Sequence, residues 1–327
     1  MGKKVTIKDI ADKLGVSKST VSKALSDATD ISKKTREMIL SCAIEMGYVD
    51  KTDMNFRSNV LMLFYAIDYS DINQFGYELL MGFQSAAKED SLGVTILTVN
   101  EEEMRTGSYV NKFNFDDYSG SFFVGFKPHE RFVRKMEENQ LPAVVLDDEC
   151  DSQYAARIGS DSACGIRQAV QHLYQLGRRK FAFIGGEEDS LVTIERKEAY
   201  EKALKKYELT LSYASYASFT HKFKDSVVMS VAKADAVICA SDEIAAQAVK
   251  ILLKNNIKVP EDICIVGYDN LPSSKYSTPS ITTIAQNRIE LGRTAYKIIK
   301  MINSGDRISK FILRPELILR KSTGQEG

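Results

Sequence analysis

Three apolar stripes recur at helical spacing within the first 50 residues. Their members are Ile7, Ile10, Ala11 and Leu14, then Val21, Ala24 and Leu25, and then Ile39, Cys42, Ala43 and Met46. Residues at i, i+3, i+4 and i+7 share one face of an α-helix, so the pattern predicts three short helices around a small common core. Thr6, Ser17 and Ser32 stand where helix N-caps are expected, and Gly15 and Gly47 end the first and third helices.

The first two predicted helices are separated by a short turn, which is typical of a helix-turn-helix unit. Ala11 allows the helices to approach, Gly15 supplies the positive φ of the turn, and Val21 packs between them. The outward positions of the second helix carry only short hydroxyls and cations, namely Lys18, Ser19, Thr20, Ser22 and Lys23. Such a surface suits a helix that lies in the major groove of DNA, although it would also suit a solvated face.

From residue 59 onward, short apolar runs alternate with amphipathic segments. The runs predict strands at 60–67, 94–99, 121–125, 142–147, 181–186, 211–218, 235–240, 263–268, 281–284, 311–313 and 316–320. The segments between them predict helices at 78–90, 130–139, 162–176, 194–207, 242–255 and 289–303. This alternation indicates right-handed βαβ units and parallel sheets, and the two series of strands indicate an α/β fold with two doubly wound lobes.

The pattern therefore predicts two domains. Residues 1–58 form a helix-turn-helix headpiece with a short hinge, and residues 59–327 form a two-lobed core. We expect the chain to cross between the lobes, with the N-terminal lobe at about 59–157 plus 288–313 and the C-terminal lobe at about 158–284 plus 314–327.

The charge distribution supports a nucleic-acid-facing head. The chain has 327 residues and a formal net charge of zero, from 44 basic and 44 acidic side chains. Residues 1–36 carry nine basic and four acidic side chains, a net charge of +5, so the remainder carries −5. A zero total argues against a protein that coats DNA or anionic membranes nonspecifically, whereas the asymmetry favours a confined DNA-binding module.

Cysteine and histidine usage argues against a disulfide framework and a metal site. The five cysteines are widely spaced and form no C-x-x-C pair. They are Cys42, Cys150, Cys164, Cys239 and Cys264. We expect reduced thiols in a cytoplasmic protein, because no secretory signal and no run of about 18 apolar residues is visible. No metal and no cofactor are expected.

Polar residues follow several predicted strands, where ligands bind in open α/β sheets. The candidates are Asp68, Tyr69, Asp147, Asp148, Ser241, Asp242, Asp269 and Asn270. Asp and Ser also commonly cap the helix that follows a strand, so helix capping is the alternative interpretation of each.

The segments VTIKDIADKLGVSKSTVSKAL and ISKKTREMILSCAIEMGY resemble the headpiece of the lactose-repressor (LacI-type) family of bacterial transcription regulators. The resemblance implies base contacts by Lys18, Ser19 and Lys23. It implies phosphate contacts by Thr6, Ser17, Thr20, Ser22, Ser26 and Tyr48. The family usually has Arg where this chain has Lys23, and Lys lacks the planar fork that pairs with guanine.

The hinge departs from that family. Its members usually have Pro-Asn and then a short helix with a Leu that enters the minor groove, whereas this chain has the shorter VDKTDMNFRSN. Met54 or Phe56 could act as the apolar wedge, and either could equally pack on the body.

The body resembles the same family's effector-binding core. The similarity lies in IGSDSACGIRQAVQHLYQLGRRKFAFIGG, IERKEAY, ADAVICASDEIAAQAVKILLKNNIKVPEDICIVGYDN, PSITTIAQNRIELGRTAY and RPELILRKST. It implies a core like that of periplasmic sugar-binding proteins, with a small molecule between the lobes. Arg196 and Asp269 match the family's effector contacts, and Gln286 and Asp147 match further ones.

The chemistry of these residues fits polyhydroxyl recognition. A guanidinium donates parallel hydrogen bonds, a carboxylate accepts two from vicinal hydroxyls, and Tyr69 or Phe75 could stack on a sugar face. An exposed ion pair with Glu195 or Glu198 is the alternative for Arg196. Many relatives have Asn where this chain has Ser241, which suggests a different effector.

Signatures of an enzyme are missing from the sequence, which has no G-x-G-x-x-G after a strand, no phosphate-binding loop and no G-x-S-x-G. We therefore predict a non-enzymatic repressor that binds operator DNA as a homodimer and responds to a small molecule, a sugar above all. The alternatives are a nucleobase or phosphorylated co-effector, or a sugar-binding protein or enzyme on the same core.

Overall fold

The N-terminal unit is built from three helices, α1 (Ile7–Leu14), α2 (Lys18–Leu25) and α3 (Lys33–Glu45). The computed structural model describes residues 5–25, 31–46, 59–219 and 222–324 of the chain. The chain forms two units, Met1–Arg57 and Ser58–Gly327. The predicted stripes form the core of the first unit, since Ile10, Val21 and Ile39 are fully buried. The three-helix prediction is confirmed.

The helix caps follow the sequence signals. The backbone N–H of Thr6 donates to the Asp9 carboxylate at 2.7 Å, and the N–H of Asp9 donates back to the Thr6 hydroxyl at 3.4 Å, which completes a capping box. Gly15 ends α1 with a φ of 64°. Ser17 caps α2 by accepting the N–H of Thr20 at 3.0 Å. Local chemistry alone therefore sets the boundaries of the turn.

Several residues singled out in the sequence cannot be compared with the structure. Ser26, Tyr48, Met54, Phe56 and the predicted helix end at Gly47 lie outside the described residues.

The body contains two six-stranded sheets with helices on their faces. The N-terminal lobe holds β1 (Asn59–Phe64), α4 (Phe75–Glu89), β2 (Gly93–Thr98), α5 (Glu101–Thr106), β3 (Tyr118–Val124), α6 (Glu130–Glu138), β4 (Ala143–Leu146), β5 (Ala155–Ser160), α12 (Arg288–Asn303) and β11 (Lys310–Leu313). The C-terminal lobe holds α7 (Ser162–Gln175), β6 (Phe181–Gly185), α8 (Leu191–Lys205), β7 (Leu211–Tyr216), α9 (Asp225–Met229), β8 (Ala236–Cys239), α10 (Asp242–Lys254), β9 (Cys264–Tyr268), α11 (Pro272–Tyr276), β10 (Thr282–Ala285) and β12 (Glu316–Ile318).

Asp147 and Asp269 follow strands that hold corresponding positions in the two sheets, β4 and β9, each third in its sheet. The first sheet has the order β11-β5-β4-β3-β1-β2, and the second has β12-β10-β9-β8-β6-β7. All pairings are parallel except that of β10 with β12. The predicted α/β class with two doubly wound sheets is confirmed, with one antiparallel edge strand that the sequence did not predict.

One strand was missed in the sequence. β5 belongs to the first sheet, where it lies between β4 and β11. The prediction instead began the C-terminal lobe at residue 158. The strand carries Arg157 and Gly159 among small residues, so it lacks the apolar run that revealed the other strands. The first crossover between lobes therefore follows Ser160.

The body has three hydrophobic clusters, and each lies within one lobe among the described residues. One surrounds the second sheet and contains Phe183 and Tyr200. The other two cover the opposite faces of the first sheet and contain Phe83 and Phe132. The lobes are thus separate cores joined by three crossovers.

Cys42, Cys150, Cys164, Cys239 and Cys264 are all free thiols. Within the described part of the chain, no helix is long and apolar enough to span a membrane.

Replacing Thr6 by alanine tests the capping box. Loss of the cap should destabilise α1 by about 1 kcal/mol. Hydrogen exchange of the α1 amides in the full chain should then be about fivefold faster. The exposed Lys8 on the same helix gives the control, Lys8→Ala. Equal exchange rates in the two variants would contradict a capping role for Thr6.

Candidate effector site and DNA-binding surface

Arg196 lies at the carboxyl ends of two strands of the second sheet. It projects from α8 and is 4% exposed. Its guanidinium donates to the carbonyl of Ala240, just after β8, and lies 3.6 Å from the ring centre of Tyr268, the last residue of β9. A cation over an aromatic face is favourable and fixes the plane of the guanidinium.

This arginine retains unused donors. Nε of Arg196 is buried without a hydrogen-bond partner among the described residues, and Nη2 lies 4.0 Å from Oδ1 of Asp269. The burial contradicts the alternative of an exposed ion pair with Glu195 or Glu198. A buried donor without a partner is costly, so this group is suited to a ligand acceptor.

Asp269 directly follows β9 and has a φ of 107°. Its N–H donates to the carbonyl of Ile284 at 2.8 Å, and its carboxylate accepts the Gln286 amide at 2.7 Å. The amide oxygen of Gln286 accepts the hydroxyl of Ser160 at 2.7 Å. Because Ser160 and Gln286 lie at two crossovers, this network attaches Asp269 to the hinge between the lobes.

Asp147 occupies the equivalent place in the other lobe. It directly follows β4, has a φ of 55°, and its N–H donates to the carbonyl of Ile158 at 2.8 Å. A Cβ at Gly159 would overlap its carboxylate, so a side chain at residue 159 would displace the Asp147 side chain. Each lobe therefore presents one Asp from a left-handed residue, a backbone conformation that is sparsely populated and common at functional sites.

Both carboxylates titrate unusually. Burial raises the pKa of Asp147 to about 6, while the positive charges of Arg196 and Arg157 limit the rise. Burial also raises the pKa of Asp269 to about 6, opposed by Arg196 and by the hydrogen bond from Gln286. A buried carboxylate, a half-buried carboxylate and a guanidinium with an unused donor together offer a ligand both hydrogen-bond acceptors and donors.

Two further arginines of the site were missed in the sequence. Arg157 in β5 forms two hydrogen bonds with Glu195 on α8, at 2.7 and 2.6 Å. Arg288 at the start of α12 lies 2.8 Å from the Glu78 carboxylate and donates to the carbonyl of Asp269. A basic residue within the buried run AARIGS was the only sequence signal for Arg157.

Ser241 serves as a helix cap. Its hydroxyl accepts the N–H of Ile244 at 3.2 Å, so the capping interpretation describes its acceptor role. The adjoining Asp242 is fully buried and accepts the N–H of Leu271 and the hydroxyl of Thr283. Burial raises the pKa of Asp242 to about 8, and the charge of Asp269 adds to the rise. Asp242 thus supports the loop that carries Asp269.

The two aromatic candidates differ in their surroundings. Tyr69 stacks on Phe64 at 4.2 Å, and its hydroxyl lies 2.9 Å from that of Thr98, so one ring face is already covered. Phe75 begins α4 and lies 5.7 Å from the guanidinium of Arg288, which itself contacts Asp269. Of the two candidates, Phe75 is therefore the one that lies nearer the Asp269 carboxylate, through Arg288.

In the N-terminal unit, the predicted DNA-facing residues lie on one surface of α2. Lys18, Ser19, Ser22 and Lys23 are exposed, and Thr20 is half-buried. The hydroxyl of Ser17 lies 2.8 Å from that of Ser19 and 2.7 Å from that of Thr20. The surface combines cations with short hydroxyls, as a helix in a major groove requires. In the described part of the chain, no cluster of metal-binding side chains occurs.

Two family models match separate parts of the chain. The model for bacterial regulatory proteins of the lacI family matches residues 6–50, and that for a periplasmic binding protein-like domain matches residues 170–323. The chain therefore has a DNA-binding domain of the lacI type and a periplasmic-binding-protein-like domain, and its relatives are repressors of the lacI family. It is a transcriptional regulator, and the predicted family resemblance is confirmed.

Relatives of this regulator align over nearly its whole length. The HTH-type transcriptional repressor CytR of Escherichia coli K12 is 26% identical over 97% of this chain and 96% of its own. The HTH-type transcriptional repressor PurR of Aliivibrio salmonicida is also 26% identical, over 97% and 98%. The ribose operon repressor of Haemophilus influenzae is 25% identical, over 97% and 98%. These relatives are transcriptional regulators rather than enzymes.

Solved structures share the fold. A transcriptional regulator CelR–cellobiose complex superposes with a TM-score of 0.71 and 23% identity, covering 98% of this chain and 100% of that one. The Lac repressor dimer bound to operator and the anti-inducer ONPF gives 0.69 and 22%, covering 98% and 99%.

The raised pKa of Asp147 makes stability depend on pH. Between about pH 4 and 6 the folded state retains a proton that the unfolded chain, with its ordinary pKa of 3.8, releases, so stability falls as pH rises through this interval. Asp147→Asn removes this cost and should raise the free energy of unfolding at pH 7 by about 1 kcal/mol.

Urea unfolding at pH 4 and pH 7 measures this effect. The control is Asp116→Asn, an exposed carboxylate of the same lobe, which should change stability at neither pH. An Asp147→Asn variant that is no more stable than the wild-type protein at pH 7 would contradict the account.

Proposed function

We propose that this regulator is a repressor that binds operator DNA as a homodimer and is controlled by an uncharged sugar bound between its lobes. The observation that carries the proposal is the position of Arg196. Its buried guanidinium has an unused donor, lies 4.0 Å from Asp269 of its own lobe, and acts electrostatically on Asp147 of the other lobe. Hydroxyl groups that both donate and accept satisfy such a site better than any other common ligand group.

The charges of the site argue for a neutral effector over a phosphorylated one. Arg157 and Arg288 are already paired with Glu195 and Glu78. Of these three cations, Arg196 has the longest ion-pair contact, 4.0 Å to Asp269, and its charge also acts on Asp147. A phosphate would meet like charges here, whereas vicinal hydroxyls can donate to the carboxylates and accept from the guanidinium.

Two of the names given by the comparisons mention a sugar. One relative is a ribose operon repressor, and one structure of the same fold contains cellobiose. These ligands belong to those proteins, and they make neutral sugars the first class of molecule to test on this chain.

The proposed DNA contacts rest on the exposed surface of α2. Lys18, Ser19 and Lys23 would reach base edges, while Thr6, Ser17, Thr20 and Ser22 would lie near phosphates. In a homodimer, two such helices would lie about one helical turn of DNA apart and bind a pseudo-palindromic operator. The Thr6 hydroxyl is also part of the capping box, so its phosphate contact would share that oxygen.

Lys18→Ala and Lys23→Ala should each weaken operator binding about tenfold or more, because each removes a proposed base contact. The operator is first selected from a random duplex pool with the full chain, and affinity is measured by fluorescence anisotropy at fixed salt. Lys275→Ala, on α11 of the body, is the matched control and should bind as tightly as the wild-type chain. Unchanged affinity of both headpiece variants would remove α2 from the interface.

Asp269→Asn should weaken effector binding about tenfold or more, since it removes a charged acceptor. Thermal shifts of the full chain with ribose, cellobiose, other neutral sugars, sugar phosphates and nucleobases identify the effector class. The control Asp225→Asn changes an exposed carboxylate of the same lobe. A shift with nucleobases or sugar phosphates alone would overturn the sugar proposal, and equal affinity of Asp269→Asn would remove Asp269 from the site.

A further inference from the structure

We propose that the ion pair between Arg157 and Glu195, here named the interlobe ion pair, holds the two lobes in contact when no effector is bound. By stabilising the arrangement in which the lobes touch, the ion pair would set the equilibrium between touching and separated lobes, and the effector would shift that equilibrium. Only this last consequence rests on the proposed function, since the ion pair itself requires neither DNA nor effector.

The interlobe ion pair joins elements that belong to different sheets. Arg157 lies in β5, which pairs with β4 and β11 of the first sheet. Glu195 lies in α8, which packs on α7 and on strands of the second sheet. Nη1 and Nη2 of Arg157 donate to the two carboxylate oxygens at 2.7 and 2.6 Å. Two parallel charge-assisted bonds are the strongest geometry available to these side chains.

Separation of the lobes would remove both short hydrogen bonds. The Arg157 side chain is 6% exposed, and that of Glu195 is 35% exposed. Within its own lobe, Arg157 also lies 3.7 Å from Glu149 and interacts electrostatically with Asp147. A charge this buried depends on its partner, so the bidentate bonds favour the arrangement in which the lobes touch.

No shared hydrophobic cluster joins the two lobes beside the interlobe ion pair, among the described residues. The three hydrophobic clusters of the body each lie within one lobe, among the described residues. A cavity of about 300 Å³ adjoins the ion pair, and its lining includes Ser160, Glu198, Lys202 and Lys310. Charged groups and not a shared core therefore join the lobes here.

The interlobe ion pair also differs from the other polar links. Ser160 and Gln286 lie at the crossovers themselves, so their hydrogen bond moves with the hinge. Glu195 lies on a helix that forms no crossover, and it directly precedes Arg196. The ion pair thus positions the turn of α8 that carries the proposed effector arginine.

A distance measurement between the lobes tests the proposal on the full chain without ligand. Spin labels are attached at Glu137→Cys in α6 and Lys205→Cys in α8, which are both exposed, with Cys150 and Cys164 replaced by alanine. The other three cysteines are at most 5% exposed and remain. Labelled chains are diluted with unlabelled chains so that only distances within one chain contribute.

Arg157→Gln and Glu195→Gln should each add a population at longer distance and raise its ratio to the short-distance population about tenfold. The double variant should open no further than either single variant, because both act on one contact. Asp225→Asn, which breaks the 2.9 Å ion pair with Lys254 within one lobe, should leave the distances unchanged.

Unchanged distances in Glu195→Gln would overturn the proposal, and so would independent, additive effects in the double variant. Glu195 is partly exposed and Gln has the same shape, so Glu195→Gln is the milder variant and keeps the proposal testable if Arg157→Gln does not fold. Because the measurement uses no DNA and no effector, its failure leaves the proposed function standing, and loss of operator or effector binding elsewhere leaves this result unaffected.

Discussion

The two lobes of the body share no hydrophobic cluster among the described residues, so charged and hydrogen-bonding groups govern how they meet. Burial of apolar surface contributes a large, nondirectional stabilisation, and a common hydrophobic core would fix the lobes in one arrangement. Ion pairs and hydrogen bonds contribute less each and can be exchanged for bonds to a ligand or to water. With apolar cores inside the lobes and polar contacts between them, each lobe can be rigid while a small molecule changes the relative orientation of the lobes.

The proposed effector site follows from the same constraint. Asp147 and Asp269 stand at equivalent strand ends of the two lobes, both on left-handed residues and both desolvated. Each feature lowers stability, and both carboxylates interact electrostatically with Arg196. Such costs are expected where a protein keeps polar groups ready for a ligand. The hydrogen bond of Gln286 to Asp269 extends this site to the crossovers.

Local patterns in the sequence were sufficient for the headpiece and for most of the sheets. The Thr6 and Gly15 signals act within a few residues, so no tertiary information was needed to place α1. The pairing of Arg157 with Glu195 was not predictable, because it joins residues 38 apart in sequence through two separate lobes. β5 was missed for a related reason, since a strand with a buried arginine lacks an apolar signature. Ser241 showed that a cap and a ligand contact have the same sequence pattern.

Thermodynamic linkage between DNA and effector tests the central claim most directly. Effector affinity is measured by calorimetry on the free chain and on the chain bound to its selected operator, and operator affinity is measured with and without effector. The account predicts that both affinities change by one common factor, about 5- to 150-fold. Effector affinity that is the same with and without operator would contradict control of DNA binding through the lobes.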